Sequence, residues 1–340
     1  MHGASAISHE DGYVQVRTIG LSRLFLKLES LNLSGSVKLK AALSMIDSAE
    51  RAGLINRQTV LIESSSGSLG VAIAMIAAER GYRFTCVVDP NVSDLNLKMM
   101  KAFGAQIVQV TRPDESGGFL GSRIRYIQDA QLSNPHLLWL NQYANPENPA
   151  AHYKTTAPAI AARFERLDYL FVGAGTTGTL MGCLKYFNLH RPEVKVVAVD
   201  SVGSVTFGHP PGSRFLPGLG TSRRPDIFDP TGLHAHEMVA EIAAIQMCRV
   251  LARSEGLLVG GSTGTVVAAV LAWRERIAAD AVIVAISPDL GDRYLDTIYN
   301  DDWVTEKFGD AWLAADAAFE FPAPAYHPTP VIAEPTRRIP

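Results

Sequence analysis

The sequence predicts an α/β protein built as two parallel-sheet, three-layer domains. Its 340 residues suit about two domains. From residue 59 onward, short β-branched runs alternate with longer helical patterns, as strand–helix units in parallel sheets do. Glycine- and serine-rich strings also follow the strand runs and open the helical ones, where open α/β sheets hold ligands.

Taken in order, Lys38 opens the first helical pattern. Leu39, Ala42, Leu43, Ile46 and Ala49 form one apolar stripe, and Ser34 or Ser36 stands where a cap belongs. Strands are expected over Thr59–Glu63, Arg83–Asp89, Gln106–Val110 and His136–Leu140, with helices near 67–80, 94–103 and 118–132. A second series follows: strands Tyr169–Gly173, Val194–Asp200 and Ala281–Ser287, with helices near 177–190, 237–254 and 263–277. Residues 203–230, rich in Gly, Pro and Arg, read as a long functional loop. The domains expected are an N-terminal α/β unit over 1–140, whose early residues can cross to the other unit, and a second over 141–316. Residues 317–340 read as an extended tail, because six of the last twenty residues are proline.

Composition excludes several classes. The formal charge of −3 gives no electrostatic reason to expect nucleic acid or an anionic membrane as partner. Cys86, Cys183 and Cys248 show no paired spacing, so neither a disulfide scaffold nor a metal site is expected. The first thirteen residues lack the apolar stretch of a signal peptide. No apolar run approaches the ~18 residues of a membrane span. A cytoplasmic location is the expectation.

The chemistry lies in four strings. Lys38 follows Ser34-Gly35-Ser36-Val37, and at a helix start the dipole favours its neutral, nucleophilic amine. Ser64-Ser65-Ser66-Gly67-Ser68-Leu69-Gly70 could hold a carboxylate on hydroxyls and backbone N–H groups. Gly175-Thr176-Thr177-Gly178-Thr179 offers close backbone approach and donors to a phosphate, but lacks the Gly-Lys-Ser/Thr ending of a P-loop. Gly260-Gly261-Ser262-Thr263-Gly264 opens an apolar helix. Each alone also reads as an ordinary cap or packing turn, and Lys38 as a solvated lysine. Together, a lysine, a phosphate cup and a hydroxyl for a ring nitrogen are what pyridoxal phosphate requires.

In this order the strings resemble the cysteine synthase/β-synthase group of fold-type II pyridoxal-phosphate enzymes over roughly residues 15–305, with a tryptophan-synthase-β-like fold. Cys86-Val87-Val88-Asp89-Pro90, Asn141-Gln142-Tyr143-Ala144-Asn145 and residues 288–296, Pro-Asp-Leu-Gly-Asp-Arg-Tyr-Leu-Asp, add to the likeness. Within the group the chain is most similar to the N-(2-amino-2-carboxyethyl)-L-glutamate synthases, which supply 2,3-diaminopropionate precursors of siderophores and peptide antibiotics. The resemblance implies that Lys38 forms the Schiff base, that Gly175, Thr176, Thr177, Gly178 and Thr179 bind the cofactor phosphate, and that Ser262 faces the pyridine nitrogen. It assigns Ser65, Ser66, Gly67 and Gln142 to the substrate α-carboxylate and puts Tyr143 near the reacting β-carbon. It also implies a homodimer and a reaction of O-phospho-L-serine with L-glutamate through an aminoacrylate.

Two departures stand out. Ser68 replaces the family's asparagine, and the shorter side chain is expected to reach the ring oxygen only through water. Leu39-Lys40 replaces the usual Asp-Arg, so a polar contact behind Lys38 is expected to be missing. In residues 218–225, Gly-Leu-Gly-Thr-Ser-Arg-Arg-Pro, Arg223 could hold either the phosphate leaving group or the glutamate nucleophile, or be solvated. Other readings are a cysteine synthase using O-phosphoserine or O-acetylserine with sulfide, and a non-catalytic relative acting through a partner.

Overall fold

The structure, a computed structural model, describes residues 3–21, 23–114, 117–310 and 312. The expected 317–340 tail lies outside them. The chain forms two sheets. Strands β1 (Tyr13–Val16) and β2 (Leu24–Leu28) are followed by helix α1 (Lys38–Arg51). Then come β3 (Val60–Ser64), α2 (Ser68–Arg80), β4 (Arg83–Val88), α3 (Asp94–Ala102), β5 (Gln106–Gln109), α4 (Leu120–Ser133) and β6 (Leu137–Trp139). Next are α5 (Glu147–Lys154), α6 (Thr156–Arg163), β7 (Tyr169–Gly173), α7 (Gly178–His190), β8 (Lys195–Ser201) and β9 (Ala235–Val239). Last come α8 (Glu241–Glu255), α9 (Gly261–Ala272), β10 (Ile283–Ser287) and α10 (Asp301–Phe308).

The four-stranded sheet runs β5-β4-β3-β6, all parallel. The six-stranded sheet runs β1-β2-β10-β7-β8-β9 and is parallel except for the β1–β2 pair. Alternation sorts the side chains of each sheet onto two helix-covered faces. Leu170, Val172, Val284 and Ile286 pack with Leu180, Leu184 and Phe187 of α7. Phe171, Val197, Ile283 and Ala285 pack on the other face with Val266 and Val270 of α9. In the smaller sheet, Leu61, Phe84 and Cys86 face α1 and α2, while Ile62 and Val87 meet Ile127 of α4. Both halves are thus three-layered.

The strands expected from the sequence begin at Thr59; β1 and β2 precede them and join the other sheet, Leu24–Leu28 pairing with Ile283–Ser287. The helix expected over 237–254 begins only at Glu241, because Ala235–Val239 pairs with β8 as an edge strand. Neither Ser34 nor Ser36 caps α1. Its N-cap is Val37, and the Ser34 hydroxyl donates instead to Asn32. Helix α9 approaches α8 so closely that a Cβ at Gly264 would lie 2.3 Å from the Ala244 carbonyl oxygen. Glycine is what lets α9 deliver Gly260 and Ser262 beside β10.

Candidate active site

The strings chosen from sequence converge. Lys38, the first residue of α1, is tied to the end of β10 by Val37 N–H donating to Pro288 O (2.8 Å) and by a Ser36–Asp289 bridge. Gly260 N–H donates to Asp289 O (3.3 Å), which brings Ser262 to the same strand end. Gly175 lies where a Cβ would meet Gly218 O at 2.5 Å, and Gly218 in turn abuts Ser262. Gln142 is joined to the cup by Asn148, whose Nδ2 donates to Gln142 O (2.8 Å) and to Thr176 Oγ1 (3.2 Å).

Lys38 is half-buried at its surface. Burial of its amine pushes the pKa below the ordinary lysine value, against the pull of Asp289. The cup is the N-terminus of α7. Thr177 is its N-cap, a non-glycine residue at φ 67°, and among the described residues its buried hydroxyl has no partner. A left-handed threonine beside unpaired helix N–H groups is strained in the way anion sites are. An orphaned hydroxyl, a glycine-lined cradle and a lysine disposed to be neutral fit pyridoxal phosphate. Thr179 Oγ1 contacts His152 Nε2 at 3.1 Å, and burial together with Lys40, Lys38 and Lys27 holds that imidazole well below its usual range.

On the facing loop Ser65 Oγ accepts from Gly70 N–H (3.0 Å). Ser66 Oγ donates to Asp89 (2.9 Å) and accepts from Arg123 (2.9 Å). Ser68 starts α2 with its hydroxyl 3.4 Å from Arg293 Nη1, while Arg293 Nη2 donates to Ser34 O (2.5 Å). Gln142 is buried and donates to Ser64 O (3.0 Å). Burial raises the pKa of the half-buried Tyr143 phenol, which feels Arg123 as well. Arg223 does not join them. Its side chain is 59% exposed and faces Asp226 at 3.5 Å.

Four residues near these strings carried no assigned role: Arg123, His152, Asp289 and Arg293. Lys40 also differs from expectation. Rather than leaving a gap behind Lys38, its amine meets Glu29 and Glu10 at 2.7 Å and Thr156 at 3.0 Å. Thr156 then contacts His152 Nδ1 at 3.0 Å, so a polar chain runs from Glu29 to the cup.

Glu63, at the end of β3, accepts from Ser64 N–H, Gln142 N–H and the Trp139 indole. Burial nonetheless pushes its carboxyl up to about 7. The folded state therefore holds this proton above the unfolded value of 4.5, and stability falls as pH rises between the two. At ~1.4 kcal/mol per pKa unit the loss is about 3 kcal/mol. In Glu63→Gln, urea denaturation at about pH 5 and about pH 8 is expected to differ less than in the parent by about 2.5 kcal/mol, because part of the loss has already occurred at pH 5. An equal pH dependence would remove Glu63 as the source.

The chain belongs to the pyridoxal-phosphate-dependent enzymes. The family profile described as "Pyridoxal-phosphate dependent enzyme" matches residues 14–289. It is 40% identical over 307 residues to the N-(2-amino-2-carboxyethyl)-L-glutamate synthase of Ralstonia nicotianae, covering 89% of this chain and 91% of that protein. Among solved structures, O-ureido-L-serine synthase superposes with TM-score 0.82 at 33% identity, over 92% of this chain and 99% of that one. The O-acetylserine-dependent cystathionine β-synthase of Helicobacter pylori superposes with TM-score 0.81 at 27% identity, over 87% and 98%. The fold is thus that of the fold-type II, cysteine-synthase-like enzymes, and the chain is an enzyme of β-substitution. Among the described residues no helix is long and apolar enough to cross a membrane.

Proposed function

We propose that the enzyme replaces the phosphate of O-phospho-L-serine with the amino group of L-glutamate, giving N-(2-amino-2-carboxyethyl)-L-glutamate and phosphate. The observation that carries this reading is Arg123. Its side chain is 11% exposed, touches Ser66 and lies 3.3 Å from Asp89, and among the described residues its buried Nε–H has no partner. A buried donor without an acceptor costs free energy until a ligand supplies one. It lies beside the loop assigned to the substrate α-carboxylate, and a planar guanidinium suits a phosphate. The Ralstonia relative supports glutamate as the second substrate.

In this mechanism Ser65, Ser66, Gly67 and Gln142 fix the α-carboxylate, which orients Cα toward Lys38. Pyridoxal phosphate, when bound through its phosphate at Gly175–Thr179, supplies the electron sink at Cα. Lys38 Nζ takes the proton from Cα. Arg123 holds the phosphate as it leaves the β-carbon, and Tyr143 lies at the face where the nucleophile arrives. The Lys38 amine, disposed to be neutral, serves both as attachment point and as base. Action as a cytoplasmic homodimer, feeding a 2,3-diaminopropionate route, belongs to the same proposal.

The test compares leaving groups. Arg123→Lys and Arg123→Ala are expected to lower kcat/KM for O-phospho-L-serine by roughly 10- to 100-fold, the worth of a charge-assisted hydrogen bond. Turnover of O-acetyl-L-serine should change far less. Equal losses on both donors would remove Arg123 from phosphate recognition. Product formed with sulfide but not with glutamate would make the enzyme a cysteine synthase.

A further inference from the structure

Helix α5 packs against α7, and two of its residues reach the threonines read as the phosphate cup. A Cβ at Gly182 of α7 would fall 2.7 Å from His152 Cβ, so glycine there sets how closely the helices approach. Asn148 and His152 stand four residues apart and therefore on one face of α5. Both are buried. Asn148 meets Thr176 Oγ1 at 3.2 Å, and His152 Nε2 meets Thr179 Oγ1 at 3.1 Å. Which partner donates in each contact decides what the two hydroxyls offer a ligand. At Asn148 the answer is direct. The same Nδ2 group reaches Gln142 O at 2.8 Å, and a carbonyl only accepts, so the amide NH₂ faces both oxygens and donates to Thr176.

At His152 the tautomer decides, and its neighbours fix it. Lys40 Nζ lies 3.0 Å from Thr156 Oγ1, and an ammonium can only donate. Thr156 is fully buried, and among the described residues the other partner of its hydroxyl is His152 Nδ1 at 3.0 Å. The Thr156 proton therefore goes to Nδ1, which must be the bare nitrogen, and the ring hydrogen sits on Nε2. Burial and the charges of Lys40, Lys38 and Lys27 all oppose an imidazolium, so the ring stays neutral. A threonine oxygen that accepts from behind keeps its own proton for another acceptor. We infer that His152 is a positioning residue of the cup: it donates through Nε2 to Thr179 and leaves that hydroxyl's proton to a phosphate oxygen, as Asn148 does at Thr176. Two hydroxyls that could either donate or accept are thus turned into donors, which an anion requires. This rests on reading Gly175–Thr179 as the phosphate cup, and the test separates the two.

The experiment records long-range ¹H–¹⁵N NMR spectra of holoenzyme labelled with ¹⁵N-histidine, with no substrate and no turnover. The His152 signal is identified by its loss in His152→Gln. The parent is expected to show a neutral ring with hydrogen on Nε2. Dissociation of pyridoxal phosphate on dilution then compares two variants. His152→Gln can accept from Thr156 through Oε1 and donate to Thr179 through Nε2, and is expected to bind the cofactor nearly as tightly as the parent. His152→Met fills similar space without a donor and is expected to bind it roughly 10-fold more weakly, the worth of one hydrogen bond to an anion. An imidazolium, or hydrogen on Nδ1, in the parent overturns the inference, and that result needs no variant to fold. Equal losses in the Gln and Met variants assign the effect to packing and overturn it too. So does parent-like affinity in His152→Met when Thr179→Val has lost affinity. If Thr179→Val also binds as the parent does, the reading of the cup fails, and the role of His152 with it.

Discussion

Lys38→Ala should abolish β-substitution while leaving the fold intact. The residue opens α1, and the proposed function gives its amine both tasks, attaching the cofactor and moving the Cα proton. Losing a positioned proton-transfer group costs about 10²–10⁴-fold, and losing the covalent anchor adds to that, so a fall of roughly 10³-fold or more in kcat is expected. Stability should hold. Lys38 is half-buried, it makes no ion pair with Asp289, and alanine is a better helix former than lysine. Borohydride treatment followed by peptide mapping gives an independent reading. The parent should carry reduced cofactor on the peptide containing Lys38, and the variant should carry none. If Lys38→Ala turned over at the parent rate, or if label appeared on another lysine, the assignment of this residue would fail.

Much of the fold was legible because its central strands are apolar runs bounded by polar residues or glycine-rich turns. Tyr169–Gly173 is bounded by Asp168 on one side and by Gly175 on the other. What was missed has a different character. β1, Tyr-Val-Gln-Val, is short and mixed, and β2 carries Lys27 inside an apolar run, which reads as a reason against a buried strand. Lys27 is nevertheless fully buried, because Glu29 meets it at 3.1 Å. β9 merges with the helical periodicity of α8, and only pairing with β8 separates them. The same distinction divides the site. Lys38, the cup and Ser262 sit at strand–helix junctions, where local sequence signals an anion or ligand. Arg123 lies within α4, His152 within α5 and Asp289 after a strand, and each reaches the site only through tertiary approach. Arg223 shows the converse, since a loop arginine in a suggestive string points to solvent and Asp226.

The largest stability effect is expected at Glu29. Its side chain is 1% exposed and lies between Lys27, 0% exposed, and Lys40, 8% exposed. Glu10 also reaches both amines but is 39% exposed. Glu29→Gln keeps the shape and removes the buried negative charge of this cluster, leaving two buried ammonium groups with only a half-solvated partner. Breaking a buried pair from one side costs about 3–5 kcal/mol, and that loss is expected in chemical denaturation. The pairing with Lys40 and Lys27 holds the Glu29 carboxyl below 4.5 despite its burial. Its stabilisation is therefore present above that value and is lost as pH falls through the folded pKa, opposite in sign to Glu63. The parent should lose stability in acid more steeply than Glu29→Gln does. Replacing the whole cluster, Lys27→Met with Glu29→Leu and Lys40→Met, should recover most of the loss, since well-packed apolar groups substitute for buried ion pairs at little or no cost. If Glu29→Gln were as stable as the parent near neutral pH, the cluster would not hold β2 to α1. If the triple variant were no better than the single, the cost would lie in packing rather than in unpaired charge. The triple variant also removes the Lys40 contact to Thr156, the link that continues through His152 to Thr179. Its affinity for pyridoxal phosphate therefore tells whether a cluster that stabilises the fold also steadies the cup.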